Sequence, residues 1–241
     1  MEKIYEINYP SLTSAEKKDF MYRMEELAQE AFAPYSFDVQ INAEILIFTR
    51  WWNSYRIMAP EEPTPEILDI AMQKLWDFRE GKLSEEAITQ FGNRLYAASI
   101  EIMTGDSSLL EEEDACKEFY AKYFWNWMTF YNSCLDYITT IFCEIIEREV
   151  TWQGITGMLD GEIIDLKIGF FEDCVADSSV WSEERELAIY NTKTCCEVVA
   201  LLQKDMRAAV AQKPMSQLRP LYQNEFLFPP EECVKITADW S

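Results

Sequence analysis

The most informative absence in this sequence is histidine, which does not occur once in 241 residues. Without imidazole, the chain cannot build a Ser-His-Asp or Cys-His nucleophile arrangement. It also lacks the ligand that the usual zinc hydrolase sites and the Glu-x-x-His di-iron bundles require. A metal bound here would therefore be a hard cation held by oxygen ligands, such as Mg²⁺ or Mn²⁺.

Turn residues and paired cysteines are also scarce. The chain has seven glycines and nine prolines, which favours long helices over β architecture, because strands need a turn about every 8–12 residues. The seven cysteines include no C-x-x-C pair, as is typical of a reduced protein. Since the N-terminus shows no secretory apolar segment, we predict a cytoplasmic location.

Positive charge is limited, because 43 acidic residues outnumber 21 basic ones and give a formal net charge of −22. Such a surface repels the phosphates of nucleic acids and anionic membranes, so we expect neither as a direct partner. It attracts a basic protein and speeds the encounter at low salt. The alternative interpretation is that the acidity only keeps the protein soluble and monomeric.

The apolar residues predict a helical fold with a real core. Hydrophobic residues make up 49% of the chain and aromatic residues 14%, which is more than a disordered chain would have. They recur at helical spacing in segments bounded by capping and breaking residues. We therefore predict an all-α single domain over residues 1–241, with about seven or eight helices and an irregular, proline-containing C-terminal tail. The linker at 59–64 is the one weak candidate boundary.

Several helix ends are marked by specific residues. Thr13 and Glu16 form a capping box that begins a helix ending at Pro34. Gly81 is expected to end the helix before it, since glycine accepts the left-handed backbone of a helix C-terminus. A long last helix is predicted over residues 182–211.

Two pairs of acidic residues in the stretch "CEIIEREVTWQGITGMLDGEIID" (143–165) suggest a metal site. Glu144 and Glu147 form the first pair, and Glu162 and Asp165 form the second. Residues i and i+3 share a helix face, and the glycines in the connection allow the two helices to run antiparallel. The four carboxylates would then hold Mg²⁺, which can bind a triphosphate and polarise the attacked phosphorus.

This arrangement resembles the metal motif of the all-α nucleoside-triphosphate pyrophosphatases of the MazG and dUTPase type. The resemblance implies an Mg²⁺-dependent pyrophosphohydrolase, and it covers about 22 residues. The chain departs from the family pattern at Cys143, because the first motif of the family usually begins with paired acids. The alternative interpretation is that the four acids lie on solvated helix faces, since acidic residues are abundant throughout the chain.

Aromatic residues beside acidic ones give a second hypothesis. Adjacent or alternate tryptophans on a helix point to different sides, and tryptophan and tyrosine dominate interface hot spots. The predicted partner-binding residues are these aromatic side chains and the acidic run "EEED": Trp51, Trp52, Tyr55, Glu111, Glu112, Glu113, Asp114, Trp125 and Trp181. The alternatives are burial between helix layers for the aromatic residues and stabilisation of a helix N-terminus for the acidic run.

These observations together favour a non-enzymatic, acidic protein-binding domain that presents this face to a basic protein and needs no cofactor. A concrete form is a bacterial immunity protein that masks a basic, nucleic-acid-cleaving toxin, an analogy that rests on composition. The first alternative is the Mg²⁺-dependent pyrophosphohydrolase. The second is an oligomeric structural or regulatory protein whose tryptophan pairs mediate self-association.

Overall fold

A computed structural model describes residues 2–58, 66–104, 128–155 and 183–233. Within these ranges every regular element is helical, which confirms the all-α prediction. A 3-10 turn at Tyr9–Ser11 precedes the first α-helix. The α-helices in the described ranges are α1 (Ser14–Tyr22), α2 (Met24–Phe32), α3 (Phe37–Met58), α4 (Glu66–Arg79), α5 (Glu85–Thr104), α6 (Met128–Glu147), α7 (Glu183–Tyr190), α8 (Lys193–Val210) and α9 (Met215–Tyr222).

Two of the predicted helix ends have the expected local structure. The Thr13 hydroxyl accepts a hydrogen bond from the Glu16 N–H, and the Glu16 carboxylate accepts one from the Thr13 N–H, so the capping box at α1 is complete. Gly81, just after α4, has a φ of 75°. This left-handed conformation lets its N–H donate to the Phe78 carbonyl and end the helix.

Two segments predicted as single helices are each divided. The first is interrupted at Arg23, where φ is −104° and ψ is 13°, so the chain turns between α1 and α2. The last is interrupted before Thr192, whose hydroxyl accepts a hydrogen bond from the Cys195 N–H at 3.1 Å and caps α8 as a new helix. The beginning of the C-terminal tail is helical as well, since α9 follows Pro214.

Helices α3 to α6 form an antiparallel four-helix arrangement in which α6 closes against α3. Arg79 at the end of α4 pairs with Asp38 at the start of α3 at 2.8 Å. Arg148, directly after α6, pairs with Glu85 at the start of α5 at 3.0 Å. The starts of α3 and α5 and the ends of α4 and α6 therefore meet at one end of the bundle.

Helix α3 is the centre of the core, because it packs against α6 on one side and α8 on the other. Its residues from Ala43 to Trp52 are all buried. The contact with α8 includes a buried ion pair, in which Arg50 Nη2 lies 2.8 Å from Asp205 Oδ1. Within the described residues, no helix has the length and apolar character needed to span a membrane.

Candidate functional site

The predicted aromatic anchors on α3 belong to the core. Trp51, Trp52 and Tyr55 are 1%, 2% and 0% exposed. The Trp51 ring lies 5.5 Å from the Tyr137 ring, and Trp52 stacks on Tyr55 with 5.1 Å between ring centroids. Because α3 is covered on several sides, positions that point in different directions are all enclosed. This corrects the hypothesis that these three side chains are surface anchors and supports their burial between helix layers.

The other predicted partner-binding residues cannot be placed in the same way. They lie outside the described residues and stay a prediction: Glu111, Glu112, Glu113, Asp114, Trp125 and Trp181.

The first half of the predicted metal motif does not offer two carboxylates to one solvent face. Glu144 is 3% exposed, whereas Glu147, one turn later on α6, is exposed. Glu144 Oε1 accepts hydrogen bonds from the N–H and the hydroxyl of Thr151, both at 2.7 Å. Glu162 and Asp165 lie outside the described residues, so the four-carboxylate cage stays a prediction. Within the ranges that the structure describes, no group of three or more Cys, Asp or Glu side chains is arranged to hold a metal.

A buried carboxyl pair on α3 and α6 is the most unusual chemical feature of the core. Glu44 is 1% exposed, and its Oε2 accepts a 2.5 Å hydrogen bond from the Tyr137 hydroxyl. Glu44 Oε1 and Glu144 Oε2 have no hydrogen-bond partner among the described residues. Burial, and then the charge of Glu144, raises the pKa of the Glu44 carboxyl well above its ordinary value.

Burial also raises the pKa of Glu144, against the opposing effect of the hydrogen bonds from Thr151. Both carboxyl groups therefore retain protons at a higher pH than exposed glutamates do. The sequence signal for Glu44 is a single acidic residue inside the apolar run "AEILIF" of α3. A single acidic residue of this kind does not reveal its partner, because Tyr137 is 93 residues away in the chain.

The segment after α6 covers this buried carboxyl pair. Arg148 and Trp152 have left-handed φ values of 59° and 64°, a conformation that costs non-glycine residues of the order of 1 kcal/mol or more. A Cβ atom on Gly154 would lie 2.0 Å from the Tyr137 ring, so the backbone passes directly over that ring. The Trp152 ring lies 4.6 Å from that of Phe32. The carboxyl pair is thus enclosed by the protein, and we assign it a structural role.

The exposed carboxylates that lie together are at the end of the bundle where α3 and α5 begin and α4 and α6 end. We call this surface the acidic end; it consists of Asp38, Glu85, Glu86, Glu147 and Glu149, all of them exposed. Arg79 and Arg148 bind Asp38 and Glu85 at 2.8 and 3.0 Å. Within the described residues, Glu86, Glu147 and Glu149 have no ion-pair partner.

Most basic side chains of the described residues are already paired with carboxylates of the same chain. The ones with an ion pair are Lys18, Arg23, Arg50, Arg56, Arg79, Lys82, Arg148, Lys193, Lys204 and Arg219. Among the described residues, some basic side chains such as Lys74 and Lys213 lie outside these ion pairs, but at the acidic end both arginines are paired while three carboxylates have no ion-pair partner.

Comparisons with known protein families, with curated proteins and with solved structures find no match to this chain. The resemblance to all-α pyrophosphatases consequently rests on the motif of about 22 residues alone.

Proposed function

We propose that this protein is a non-enzymatic binding domain that recognises a basic protein through its acidic end. The observation that carries the proposal is the group of exposed carboxylates around the Glu85–Arg148 pair, namely Glu86, Glu147 and Glu149, which form no ion pair with the described part of the chain. They lie at or next to the ends of packed helices, so the backbone that carries them is ordered before a partner binds, and ordering each exposed side chain costs about 0.5–1.5 kcal/mol.

Helix electrostatics explain three of the five carboxylates of this surface, one of which is Asp38 in the first turn of α3. Glu85 and Glu86 lie in the first turn of α5, where negative charge stabilises the positive end of the helix dipole. Glu147 ends α6 and Glu149 follows it, at the negative end of that helix, where carboxylates are unfavourable. Glu147 and Glu149 therefore do not stabilise α6. This favours a role for these two carboxylates in binding.

A basic partner carries charge opposite to that of this surface, and it would compete for the carboxylates that Arg79 and Arg148 now bind. Charge complementarity of this kind mainly raises the association rate and the specificity, and salt weakens it. A toxin-neutralising immunity protein is the concrete form that we propose, since a nuclease must carry positive charge to bind nucleic acid. The support for this form is the charge of the chain and the arrangement of its acidic end.

The test compares two triple charge reversals that change the net charge equally. The first is Glu86→Lys, Glu147→Lys and Glu149→Lys at the acidic end. The matched control is Glu184→Lys, Glu197→Lys and Glu231→Lys, at exposed positions on other elements. Binding to immobilised chain is measured with a panel of small basic folded proteins, including bacterial nucleases, and with polylysine as a probe of net charge.

The expected result is that at least one folded basic protein binds the wild type and the control, and loses at least tenfold in affinity with the acidic-end variant. Polylysine should respond equally to both variants, because it senses net charge. Equal losses for every folded protein in both variants would mean that only net charge matters, and would overturn the proposal.

A further inference from the structure

A pocket at a separate place, where α9 crosses α3 and α4, has the features of a small-molecule site. Its cavity volume is about 280 Å³. We propose that it binds a small, uncharged, planar heterocycle of the chemical class of a nucleobase. The pocket is lined by Thr49, Trp52, Asn53, Arg56, Asp69, Met72, Gln73, Trp76, Arg219 and Gln223.

The aromatic wall of the pocket is held rigidly. Trp52 Nε1 donates to Asp69 Oδ1 at 2.9 Å, and Trp76 Nε1 donates to Thr49 Oγ1 at 3.2 Å. Since both indole N–H groups are already bonded, the small part of these rings that reaches the pocket, with Trp52 2% and Trp76 4% exposed, is apolar. Met72 adds a thioether to the same lining. Trp52 already stacks on Tyr55, and the Arg219 guanidinium lies over the Trp76 ring. A flat ring would therefore pack against the indole surface that these contacts leave open and against the thioether.

The polar lining supplies hydrogen-bond donors that have no acceptor among the described residues. Arg56 contacts Asp69 through Nε, at 3.3 Å, and its two terminal nitrogens make no bond within these ranges. Arg219 donates to Asp77 and Glu80 through Nη1, and its Nε and Nη2 make no hydrogen bond to the part of the chain that the structure describes. A ligand with carbonyl oxygens or ring nitrogens would accept hydrogen bonds from these groups.

The lining also supplies an oriented acceptor. The Asn53 amide nitrogen donates to the carbonyl oxygens of Tyr222 and Glu225 at 2.7 and 2.9 Å. Its Oδ1 receives no hydrogen bond from the described residues and can accept one from a ligand N–H. A ring that carries both acceptors and an N–H donor, as nucleobases do, can use the arginine nitrogens and this oxygen together.

The charge and the size of the pocket limit the class of ligand that it can bind. Both arginines are neutralised by carboxylates of the chain, Arg56 by Asp69 and Arg219 by Asp77 and Glu80. With a net charge of −22 on the whole chain, a phosphate group would gain little here. A cavity of about 280 Å³ is at the lower limit of ligand pockets, which suits one ring or two fused rings.

The test is a titration of the full chain with adenine, followed by the indole N–H signals in ¹H–¹⁵N spectra. Trp52→Phe and Trp76→Phe variants assign the two signals of the pocket. We expect saturable shifts of the Trp52 and Trp76 signals, with those of Trp51 and Trp152 unchanged, and at least tenfold weaker binding of AMP. The absence of a saturable shift would overturn the proposal. If AMP binds as tightly as adenine, the inference that the ligand is uncharged is wrong.

A matched pair of variants places the binding in the pocket. Gln223→Phe fills the pocket from its edge, and Gln217→Phe makes the same change at an exposed position on α9 that does not line it. Neither glutamine side chain makes a hydrogen bond within the described residues, so both variants should fold. We expect the adenine-dependent shifts to disappear with Gln223→Phe and to persist with Gln217→Phe. Shifts that persist in both variants would contradict the assignment.

Discussion

The Tyr137 hydroxyl of α6 donates a 2.5 Å hydrogen bond to Glu44 Oε2 of α3, inside the contact between the two helices. The rings of Phe48 and Trp51 lie 5.1 and 5.5 Å from the Tyr137 ring, so this polar contact is surrounded by aromatic side chains. Burial and then the charge of Glu144 raise the pKa of Glu44, and the hydrogen bond from Tyr137 opposes them without cancelling them. These surroundings favour the protonated form of the carboxyl group relative to an exposed glutamate.

The first prediction is that Glu44 makes the protein less stable as the pH rises. Because its folded-state pKa is raised above the ordinary glutamate value of 4.5, the folded state holds this proton more tightly than the unfolded state. Its contribution to the free energy of unfolding is complete below pH 4.5 and is lost as the pH rises through the raised value. Glu44→Gln should therefore be more stable than the wild type at pH 8, and the difference should shrink towards pH 4.

Urea unfolding between pH 4 and pH 8 measures this difference. Glu30→Gln is the control, since it removes one exposed carboxylate of α2 and isolates the effect of net charge. If Glu44→Gln and Glu30→Gln follow the same pH dependence, Glu44 titrates as an exposed group and the interpretation is wrong.

The second prediction concerns the other partner in this contact. Tyr137→Phe keeps the ring but removes the hydroxyl, which leaves Glu44 with no hydrogen-bond partner in the described structure. A buried group left unsatisfied costs about 1–3 kcal/mol. The free energy of unfolding at pH 5 should fall by that amount. In the Glu44→Leu background the same change should cost less, and equal costs in both backgrounds would show that the hydrogen bond contributes nothing.

The third prediction concerns Gly154, whose backbone covers the Tyr137 ring. A Cβ atom there would be 2.0 Å from ring carbons, so the ring or the segment must move. Overpacking of this kind costs about 1–3 kcal/mol. Gly154→Ala should lower the free energy of unfolding by that amount, whereas Gln153→Ala, at the exposed neighbouring position, should change it little. A Gly154→Ala protein as stable as the wild type would contradict the close approach.

Local signals in the sequence were sufficient to predict the all-α fold class and several of the helix ends. Thr13 with Glu16 and the glycine at 81 act within one turn of chain, so their effect is readable without the fold. The division at Arg23 has no such signal, because neither glycine nor proline is present there. The chain turns at that point so that α1 can pack against α7, which is distant in the sequence.

The candidate sites were harder to predict from the sequence than the helices, because they depend on tertiary structure. The exposure of Trp51 and Trp52 depends on how many helices pack against α3. The sequence alone does not reveal how many there are. Glu44 was overlooked for the same reason, since its partner Tyr137 is 93 residues away in the chain. The acidic end could not be predicted either, because it forms where the ends of separate helices meet.

The fourth prediction concerns the buried ion pair between α3 and α8. Arg50 Nε and Nη2 donate to the two carboxylate oxygens of Asp205 at 2.9 and 2.8 Å, and Nη1 donates to Glu225 at 2.5 Å. Arg50→Ala leaves Asp205 buried without its cation, a loss that costs about 3–5 kcal/mol. Arg23→Ala removes an arginine from exposed pairs with Asp19 and Glu26 and should cost no more than about 1 kcal/mol.

Removing both partners separates the value of the ion pair from the cost of an unpaired charge. In Arg50→Met with Asp205→Leu, no charge is left unpaired between α3 and α8, and such replacements are often neutral or stabilising. Glu225 is less affected than Asp205, because it is partly exposed and also bonds Lys204. We therefore expect the double variant to be at least about 2 kcal/mol more stable than Arg50→Ala in urea unfolding. A double variant as unstable as Arg50→Ala would show that Arg50 stabilises the protein through Glu225 and the C-terminal segment instead of through Asp205.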